Sequence, residues 1–233
     1  MIGYLILAVL VAFIAVVAVR TIRFRPKPQP EVTKEEIAFD RDAAVDSLAQ
    51  LVRCKTVSYN DHSLEDEGEF QKLISLLPTL YPNVFGTCTF QQLPDRALLL
   101  RWPGKQEGDP AVMMAHYDVV PVNEEKGDKP PFAGVIEDGI LWGRGTLDIK
   151  EQVFGVLEAA EYLLARGRTF RRTAYLAFGD DEETLNTGAL AISDHLKAQG
   201  VTLEFVLDEG GGKIESGAAF GAPDLSIAQV DLM

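Results

Sequence analysis

At 233 residues, with 47% apolar and 24% charged residues, the chain has the composition of a globular protein, which excludes disordered, collagen-like and small disulfide-scaffold classes. Its 35 acidic residues outnumber 22 basic ones, and the net charge of −13 argues against a nucleic-acid-binding protein, which normally presents a basic surface. The length accommodates one domain of ordinary size, with or without appended segments.

An uncharged apolar run opens the chain from Ile2 to Val19, and Arg20 ends it. About 18 helical residues at about 1.5 Å each span roughly 27 Å, close to the bilayer hydrocarbon thickness of about 30 Å. A buried core helix or a cleavable signal peptide would also be apolar, but a signal peptide usually carries its charge before the run. We therefore expect an uncleaved, single-pass transmembrane helix.

Basic residues and prolines follow the apolar run. Arg20, Arg23, Arg25 and Lys27 form a basic collar, and by the positive-inside rule they favour a cytoplasmic body. Three alternating prolines then predict a short, stiff polyproline stalk. The predicted organisation is therefore an anchor with its collar over 1–27, a Pro-rich stalk over 28–39 and an acidic body over 40–233.

The body alternates predicted helices and strands, judged by apolar residues at helical spacing and by short apolar runs between Gly or Pro. In chain order these are helices over 40–53 and 70–77, strands over 97–102 and 111–120, a hairpin over 135–142, a helix over 149–165, a strand over 173–178, a helix over 188–198 and a strand over 203–207. This alternation predicts an α/β fold with a mostly parallel sheet and helices on both faces.

Three of the predicted strands end in side chains that are able to bind a metal. They are His116-Tyr117-Asp118, then Asp180-Asp181-Glu182-Glu183, then Asp208-Glu209. A fourth candidate, Asp148, lies between a glycine turn and the long helix. Ligand sites in open α/β sheets form beyond the carboxyl ends of the strands, so these side chains are expected to meet at one edge.

Each candidate also has a simpler interpretation. Asp148 with Glu151 matches a helix capping box, and residues 180–183 match a solvated acidic loop before a helix. His116 could be a hydrogen-bonded core histidine, and Asp208 a turn residue. Taken together, the four candidates favour a metal site, because four unrelated structural roles would otherwise have to place these side chains at the same edge of the sheet by chance. A two-carboxylate glycosidase is less favoured, since it gives His116 and Asp148 no role.

The residue types suit a divalent metal. Residues i and i+2 of a strand face the same way, so Asp118 can orient one ring nitrogen of His116 and direct the other toward a metal. Histidine nitrogen and carboxylate oxygen bind divalent cations, and a carboxylate can bridge two of them and so create a nucleophilic water. Of two adjacent glutamates such as Glu182 and Glu183, one can bind metal while the other moves the proton.

Four motifs occur in a fixed order: the His-x-Asp strand, Gly-Arg-Gly-x-x-Asp-x-Lys over 143–150, Asp-Glu-Glu over 181–183 and Asp-Glu-Gly over 208–210. In order and spacing this set resembles the M20 family of metallopeptidases. Segments 56–59, 119–123 and 130–132 resemble its carboxypeptidase S branch, which includes N-acyl-amino-acid hydrolases. The resemblance extends from about residue 40 to the end of the chain.

The resemblance implies a zinc-exopeptidase-like catalytic domain with two zinc ions. The metal ligands would be His116, Asp148, Glu183 and Asp208. Among them Asp148 would bridge the metals, while Glu182 would act as general base and Asp118 would orient His116. The implied reaction is hydrolysis of an amide bond next to a free carboxylate, in a short peptide or an N-acyl amino acid.

Four positions depart from the family pattern. Asp180 stands where a histidine is common, and this additional carboxylate is expected to raise the pKa of Glu182. Gly127 stands where a tryptophan is common, and Leu185 and Asn186 replace glycines. These changes affect the expected substrate preference more than metal binding.

The family also inserts a lid domain, used for dimerisation, and later supplies a last ligand histidine. The resemblance therefore implies that residues 40–233 are the N-terminal part of the catalytic domain, without the lid and the C-terminal segment, so that a homodimer would require the lid. His62 and His195 match no ligand position, and surface roles are expected for both. The alternative is a truncated, metal-binding but non-catalytic membrane protein. Family analogy often favours a lumenal or exported body, whereas the charge pattern favours the cytoplasm.

Overall fold

The computed structural model describes residues 2–24, 37–94, 96–123, 127–209, 213–214 and 227–228. The chain divides into two compact units, Met1–Ala38 and Phe39–Met233, which are described separately. The predicted stalk over 28–39 lies largely outside the described residues, as do Arg25 and Lys27 of the predicted collar.

The first unit is the helix α1 (Ile2–Arg23). Its span Gly3–Arg23 has a mean hydropathy of 2.8 and buries none of its surface within the chain. Arg20 and Arg23 lie in its last turn. By length and composition the helix is able to cross a membrane, although a signal sequence near an N-terminus has the same properties.

The second unit contains five α-helices among its described residues. They are α2 (Arg41–Val52), α3 (Glu67–Leu80), α4 (Pro82–Thr87), α5 (Glu151–Ala165) and α6 (Thr187–Ala198). The side chain of Asp40 caps α2 by accepting a hydrogen bond from the backbone N–H of Ala43, and Asp66 caps α3 in the same way through Gly68. These polar caps fix the first residues of both helices, and α3 therefore begins at Glu67, three residues before the predicted start at residue 70.

Five strands form the central sheet in the order β1-β2-β6-β3-β7, and two hairpin-like pairs lie outside it. The strands are β1 (Thr89–Gln92), β2 (Leu98–Trp102), β3 (Ala111–His116), β4 (Val135–Glu137), β5 (Ile140–Trp142), β6 (Ala174–Gly179), β7 (Phe205–Leu207), β8 (Lys213–Ile214) and β9 (Ile227–Ala228). The pair β4–β5 is the predicted hairpin, with Asp138 and Gly139 at its turn and both at positive φ.

Strand direction in the central sheet is mixed. β3 runs parallel to both β6 and β7, whereas β2 is antiparallel to both β1 and β6. Four of the five strands therefore run in one direction and β2 opposes them, so only half of the pairings are parallel. The α/β class is confirmed. At the outer edge of the described sheet, the side chains of β7 are each about half exposed.

Alternating side chains of β2 divide the core between the two faces of the sheet. Leu98 and Leu100 are buried in a cluster with apolar residues of α2, α3 and α5. Leu99 is buried on the opposite face with Ile192 and Leu196 of α6. Helices therefore cover both faces, as the sequence predicts.

Two predicted elements next to the candidate site are shorter in the structure than the sequence predicts. The strand predicted over 111–120 ends at His116, so the residues after it leave the ladder. The helix predicted over 149–165 begins at Glu151, because a π turn over Thr146–Lys150 precedes it. Within that turn Asp148 has extended backbone angles, φ −126° and ψ 96°.

Strand β1 and helix α4 were not predicted. All four residues of β1 are exposed, so the strand lacks the apolar alternation that identifies a half-buried strand. Helix α4 has only six residues and buries only Val84, too few apolar positions for a helical period to be recognised.

Candidate metal centre

His116 lies at the carboxyl end of β3 and is buried, with both ring nitrogens facing carboxylates. Its Nδ1 is 3.2 Å from an Oδ of Asp118. Its Nε2 is 3.3 Å from Asp148, 3.6 Å from Glu182 and 3.8 Å from Glu209, measured to carboxylate oxygens. The alternative of a hydrogen-bonded core histidine accounts for Nδ1 only, because within the described part of the chain Nε2 has no hydrogen-bond partner.

The electrostatics around His116 follow from these contacts. Burial alone would lower the pKa of the imidazole, but the hydrogen bond and charge of Asp118, together with Glu182 and Glu209, raise it to about 9. A buried nitrogen that faces several carboxylates is the arrangement expected where a divalent cation would replace the proton.

Asp118 connects three segments of the site. It is fully buried and accepts hydrogen bonds from the hydroxyl of Ser58 at 2.7 Å and from the backbone N–H groups of Glu182 at 3.1 Å and Glu183 at 3.2 Å. With its contact to His116, this carboxylate fixes the ring and the acidic loop relative to each other. The predicted contact between Asp118 and His116 is therefore present.

Four acidic residues follow β6. The first two, Asp180 and Asp181, point into the protein, and the last two, Glu182 and Glu183, face the candidate site. Asp180 and Asp181 are buried, so the alternative of a solvated loop does not apply to them. Asp181 accepts hydrogen bonds from the backbone N–H groups of Thr187 and Gly188 at 2.8 and 2.9 Å, and so satisfies the first turn of α6. The loop is thereby held at both ends while the glutamates remain half-exposed.

Asp180 does not act on Glu182 as the sequence predicted. The pKa of Glu182 is raised, but burial is the largest cause, and Asp118, Asp148 and Asp208 add to it against the charge of His116. The side chain of Asp180 instead accepts a hydrogen bond at 3.0 Å from the Nε of Arg96. Burial raises the pKa of Asp180 to about 6, although Arg96 opposes the shift.

Asp148 lies on the open side of the site, with 62% of its side chain exposed. It does not cap α5, whose N-cap residue is Lys150 without a side-chain hydrogen bond, so the capping-box alternative is wrong. Atoms of His116, Asp148 and Glu183 that could bind a metal lie within 4.8 Å of one another. Three of the four predicted ligands therefore come together.

Asp208, the fourth predicted ligand, belongs to neither of the two candidate ligand groups found among the described residues. The second group contains His116, Glu182 and Glu209. The carboxylate of Asp208 accepts a hydrogen bond at 2.9 Å from the backbone N–H of Glu209, and its charge still contributes to the raised pKa of Glu182. Two adjacent carboxylates thus face the site from the end of β7.

Lys150 was named in the sequence motif without a role, and the structure gives it one. It is completely buried, and its Nζ donates to the carbonyl oxygens of Leu51 at 3.1 Å and Cys54 at 2.6 Å. Burial lowers its pKa to about 8. These bonds connect the turn that carries Asp148 to the C-terminal end of α2, where a positive charge is favourable.

The turn before Asp148 requires glycine. Gly145 has φ +80°, and a Cβ at this position would lie 2.5 Å from Cγ1 of Val119. The two remaining histidines lie elsewhere. Nδ1 of His62 is 3.4 Å from Glu65, and His195 contacts Gln199 on helix α6.

The donor set fits a divalent metal. It consists of one buried imidazole nitrogen without a partner in the described chain, from the end of β3, and several carboxylates from the segments after β6 and β7 and from one turn. Nitrogen and oxygen donors of this kind bind zinc and other borderline or hard divalent cations. Arg96 lies behind the acidic loop, where its Nε donates a hydrogen bond to Asp180. The sequence did not predict this contact, because a single arginine before an apolar strand carries no local signal of it.

Comparisons with known proteins agree with the motifs. A profile described as "Peptidase family M20/M25/M40" matches residues 112–222. The chain is 38% identical over 218 residues to "N-fatty-acyl-amino acid synthase/hydrolase PM20D1.1" of Danio rerio, which covers 88% of this chain and 42% of that protein. It is 32% identical to "Carboxypeptidase S" of Saccharomyces cerevisiae, over 75% of this chain and 33% of that protein. The chain thus spans about two fifths or less of these relatives.

Solved structures show the same fold. The "M20 family metallo-carboxypeptidase Sso-CP2" of Sulfolobus solfataricus matches with a TM-score of 0.57 and 18% identity, over 75% of this chain and 38% of that one. The dipeptidase Dug1p of Saccharomyces cerevisiae matches with a TM-score of 0.57 and 22% identity, over 74% of this chain and 40% of that one. These structures show the fold alone, whereas the family profile and the curated relatives show that the chain belongs to the M20 family of metallopeptidases, in the branch of carboxypeptidase S and the N-acyl-amino-acid hydrolases.

Proposed function

We propose that this chain provides the metal-binding part of a hydrolase that cleaves an amide bond next to a free carboxylate, in a short peptide or an N-acyl amino acid. The observation that carries the proposal is the buried Nε2 of His116, which faces three carboxylates and has no hydrogen-bond partner in the described chain. The similarity to an N-fatty-acyl-amino acid synthase/hydrolase and to carboxypeptidase S supports an N-acyl amino acid or a peptide as the substrate class.

The ligands proposed for two zinc ions are His116, Asp148, Glu183 and Asp208, with Asp148 between the metals. Zinc at this position would polarise the scissile carbonyl and lower the pKa of a bound water. Because Glu182 is half-exposed and its pKa is raised, it is suited to take a proton from the attacking water and to donate it to the leaving amine. Asp118 keeps His116 in one orientation and tautomer.

Turnover and metal content test this proposal together. The purified full chain is incubated with zinc and then with a dipeptide or an N-acyl amino acid, and the released amino acid is measured. We expect two zinc ions per chain and release that is lost on chelation. Glu182→Gln should keep the zinc and lose at least about 100-fold in kcat.

The control variant is Glu161→Gln, since Glu161 contacts Asn83 and Val84 far from the proposed ligands. Activity that survives both chelation and Glu182→Gln would contradict the proposal. Two bound zinc ions without any turnover would favour the alternative of a metal-binding, non-catalytic membrane protein.

We further propose that α1 anchors the chain in a membrane with its body in the cytoplasm. The apolar span Gly3–Arg23 and the two arginines in its last turn support this orientation. Protease treatment of sealed, cytoplasmic-side-out vesicles should then digest the body. Protection of the body in those vesicles would contradict the orientation, and a body released without α1 would identify a cleaved signal sequence.

A further inference from the structure

Arg96 is an unusually placed arginine two residues before β2. Its side chain is only 7% exposed, although arginine is rarely buried without charged partners. Nη2 lies 2.6 Å from Glu65, Nη1 lies 3.1 Å from Glu67, and Nε lies 3.0 Å from Asp180. The guanidinium also lies over the ring of Phe70, 3.8 Å from its centroid. Three carboxylates and one aromatic face therefore hold this group in a single position.

Arg96 contacts two of the four chain segments that carry the proposed metal residues. Through Asp180 it reaches the acidic loop, two residues before Glu182. Through its own carbonyl oxygen it accepts a hydrogen bond at 2.7 Å from the hydroxyl of Tyr117, the middle residue of the His-x-Asp motif. One residue just before β2 is thus bonded to the residues that directly follow β3 and β6.

Asp180 depends on Arg96 for its charge compensation. Its residue exposure is 1%, and within the described residues its Oδ1 has no hydrogen-bond partner, so the bond from Arg96 to Oδ2 is its main polar contact. A Cβ on residue 188 would lie 2.4 Å from Oδ1, so only glycine there leaves room for this rotamer. Without Arg96 a buried carboxylate would be left unpaired, which is strongly unfavourable.

We propose that Arg96 is a positioning residue of the metal centre, which holds the Asp180–Glu183 segment in place against His116 through its ion pair with Asp180. Loss of the pair releases the start of the loop, because Asp180 then turns toward solvent to become hydrated. Glu182 and Glu183 follow it, since only two and three residues separate them from Asp180. The inference rests on the proposed function, because it assigns Arg96 to the same centre.

Cobalt binding tests the proposal without requiring turnover. The full chain and its variants are titrated with Co²⁺, and both the affinity and the visible absorption spectrum of the bound ion are recorded. Arg96→Met removes the charge at similar volume, and Asp180→Asn keeps the shape of the partner. Arg101→Met is the matched control, because Arg101 is an exposed arginine on β2, the strand that follows Arg96. Circular dichroism and thermal melting establish that each variant is folded.

We expect Arg96→Met to weaken cobalt binding by about 10- to 100-fold and to change the spectrum, as the loss of an outer partner of a metal ligand does. Asp180→Asn should act in the same direction with a smaller effect, and it decides the test if Arg96→Met does not fold. Arg101→Met should match the unmodified chain. In turnover, kcat should fall about 10- to 100-fold for Arg96→Met while KM changes little.

Wild-type cobalt affinity and spectrum in the folded variants would overturn the proposal and would make Arg96 a residue of structural importance only. If the unmodified chain binds cobalt but hydrolyses no amide, the proposed function is contradicted. The role of Arg96 is still decided in that case, by comparing cobalt binding between the unmodified chain and the variants. An unmodified chain that binds no cobalt would overturn both.

Discussion

The Nζ atom of Lys150 lies 2.6 Å from the carbonyl oxygen of Cys54, a residue 96 positions earlier in the chain. A second bond joins Nζ to Leu51 at the end of α2. The turn that carries Asp148 is therefore fixed by a buried ammonium group and not by a helix cap. This relationship makes Lys150 the most direct target for testing how the turn is held.

Replacing Lys150 with methionine should lower the free energy of unfolding by about 2–4 kcal/mol, because two carbonyl groups lose a charged donor. Urea denaturation followed by tryptophan fluorescence measures the change. Lys72→Met is the matched control: Lys72 also donates to a backbone carbonyl near the end of α2, but half of its side chain is exposed. For Lys72→Met we expect the free energy of unfolding to change by no more than about 1 kcal/mol. Equal effects of the two substitutions would contradict the prediction.

Without metal, stability should fall as the pH rises from about 6.5 to about 9. The native state raises the pKa of His116 from 6.5 to about 9, so it holds a proton that the unfolded chain releases in this range. The stabilisation is complete below about pH 6.5 and is lost as the pH passes 9, on the order of 3 kcal/mol in total. Denaturation midpoints across this range, compared between the chain and His116→Gln, measure it; an unchanged pH dependence in the variant would refute the assignment.

Asp181 should contribute to stability through α6. Asp181→Ala removes the acceptor for the backbone N–H groups of Thr187 and Gly188, and we expect a loss of about 2 kcal/mol in the free energy of unfolding. Asp194→Ala changes an exposed aspartate in the same helix and should have little effect. A similar loss for both variants would show that the effect comes from helix propensity and not from the cap.

Asp208 and Glu209 are alternative candidates for the metal ligand at the end of β7. If Asp208 is the ligand, as the family resemblance implies, Asp208→Asn should weaken zinc binding at least tenfold and Glu209→Gln should weaken it less. Isothermal titration of both variants with zinc measures the order. The reverse order would assign the metal to Glu209, whose carboxylate lies 3.8 Å from Nε2 of His116.

The sequence was sufficient to predict which strand ends bring the candidate metal ligands together. Parallel strands place their carboxyl ends at one edge of the sheet. The proximity of the segments after β3, β6 and β7 could therefore be predicted from strand order alone. The contact between His116 and Asp118 was also predicted, although β3 ends at His116 and the contact therefore does not arise from strand alternation. The positions of the strands depend on local periodicity, which the sequence carries directly.

The supporting contacts could not be predicted, because they join residues far apart in the chain. Arg96 is 31 positions from Glu65 and 84 positions from Asp180, and nothing near Arg96 identifies either partner. The hydroxyl of Ser58 reaches Asp118 across 60 positions. The choice between Asp208 and Glu209 depends on the backbone direction after β7, which a pattern of single residues does not encode.

The outer edge of β7 has a practical consequence for each of these experiments. Phe205, Val206 and Leu207 are 52%, 44% and 52% exposed, and within the described sheet the strand is paired only with β3. Unpaired backbone groups beside apolar side chains are a template for pairing between molecules. Concentrated samples should therefore self-associate through this edge, and dilute conditions or a soluble fusion partner will be needed to keep the protein monodisperse.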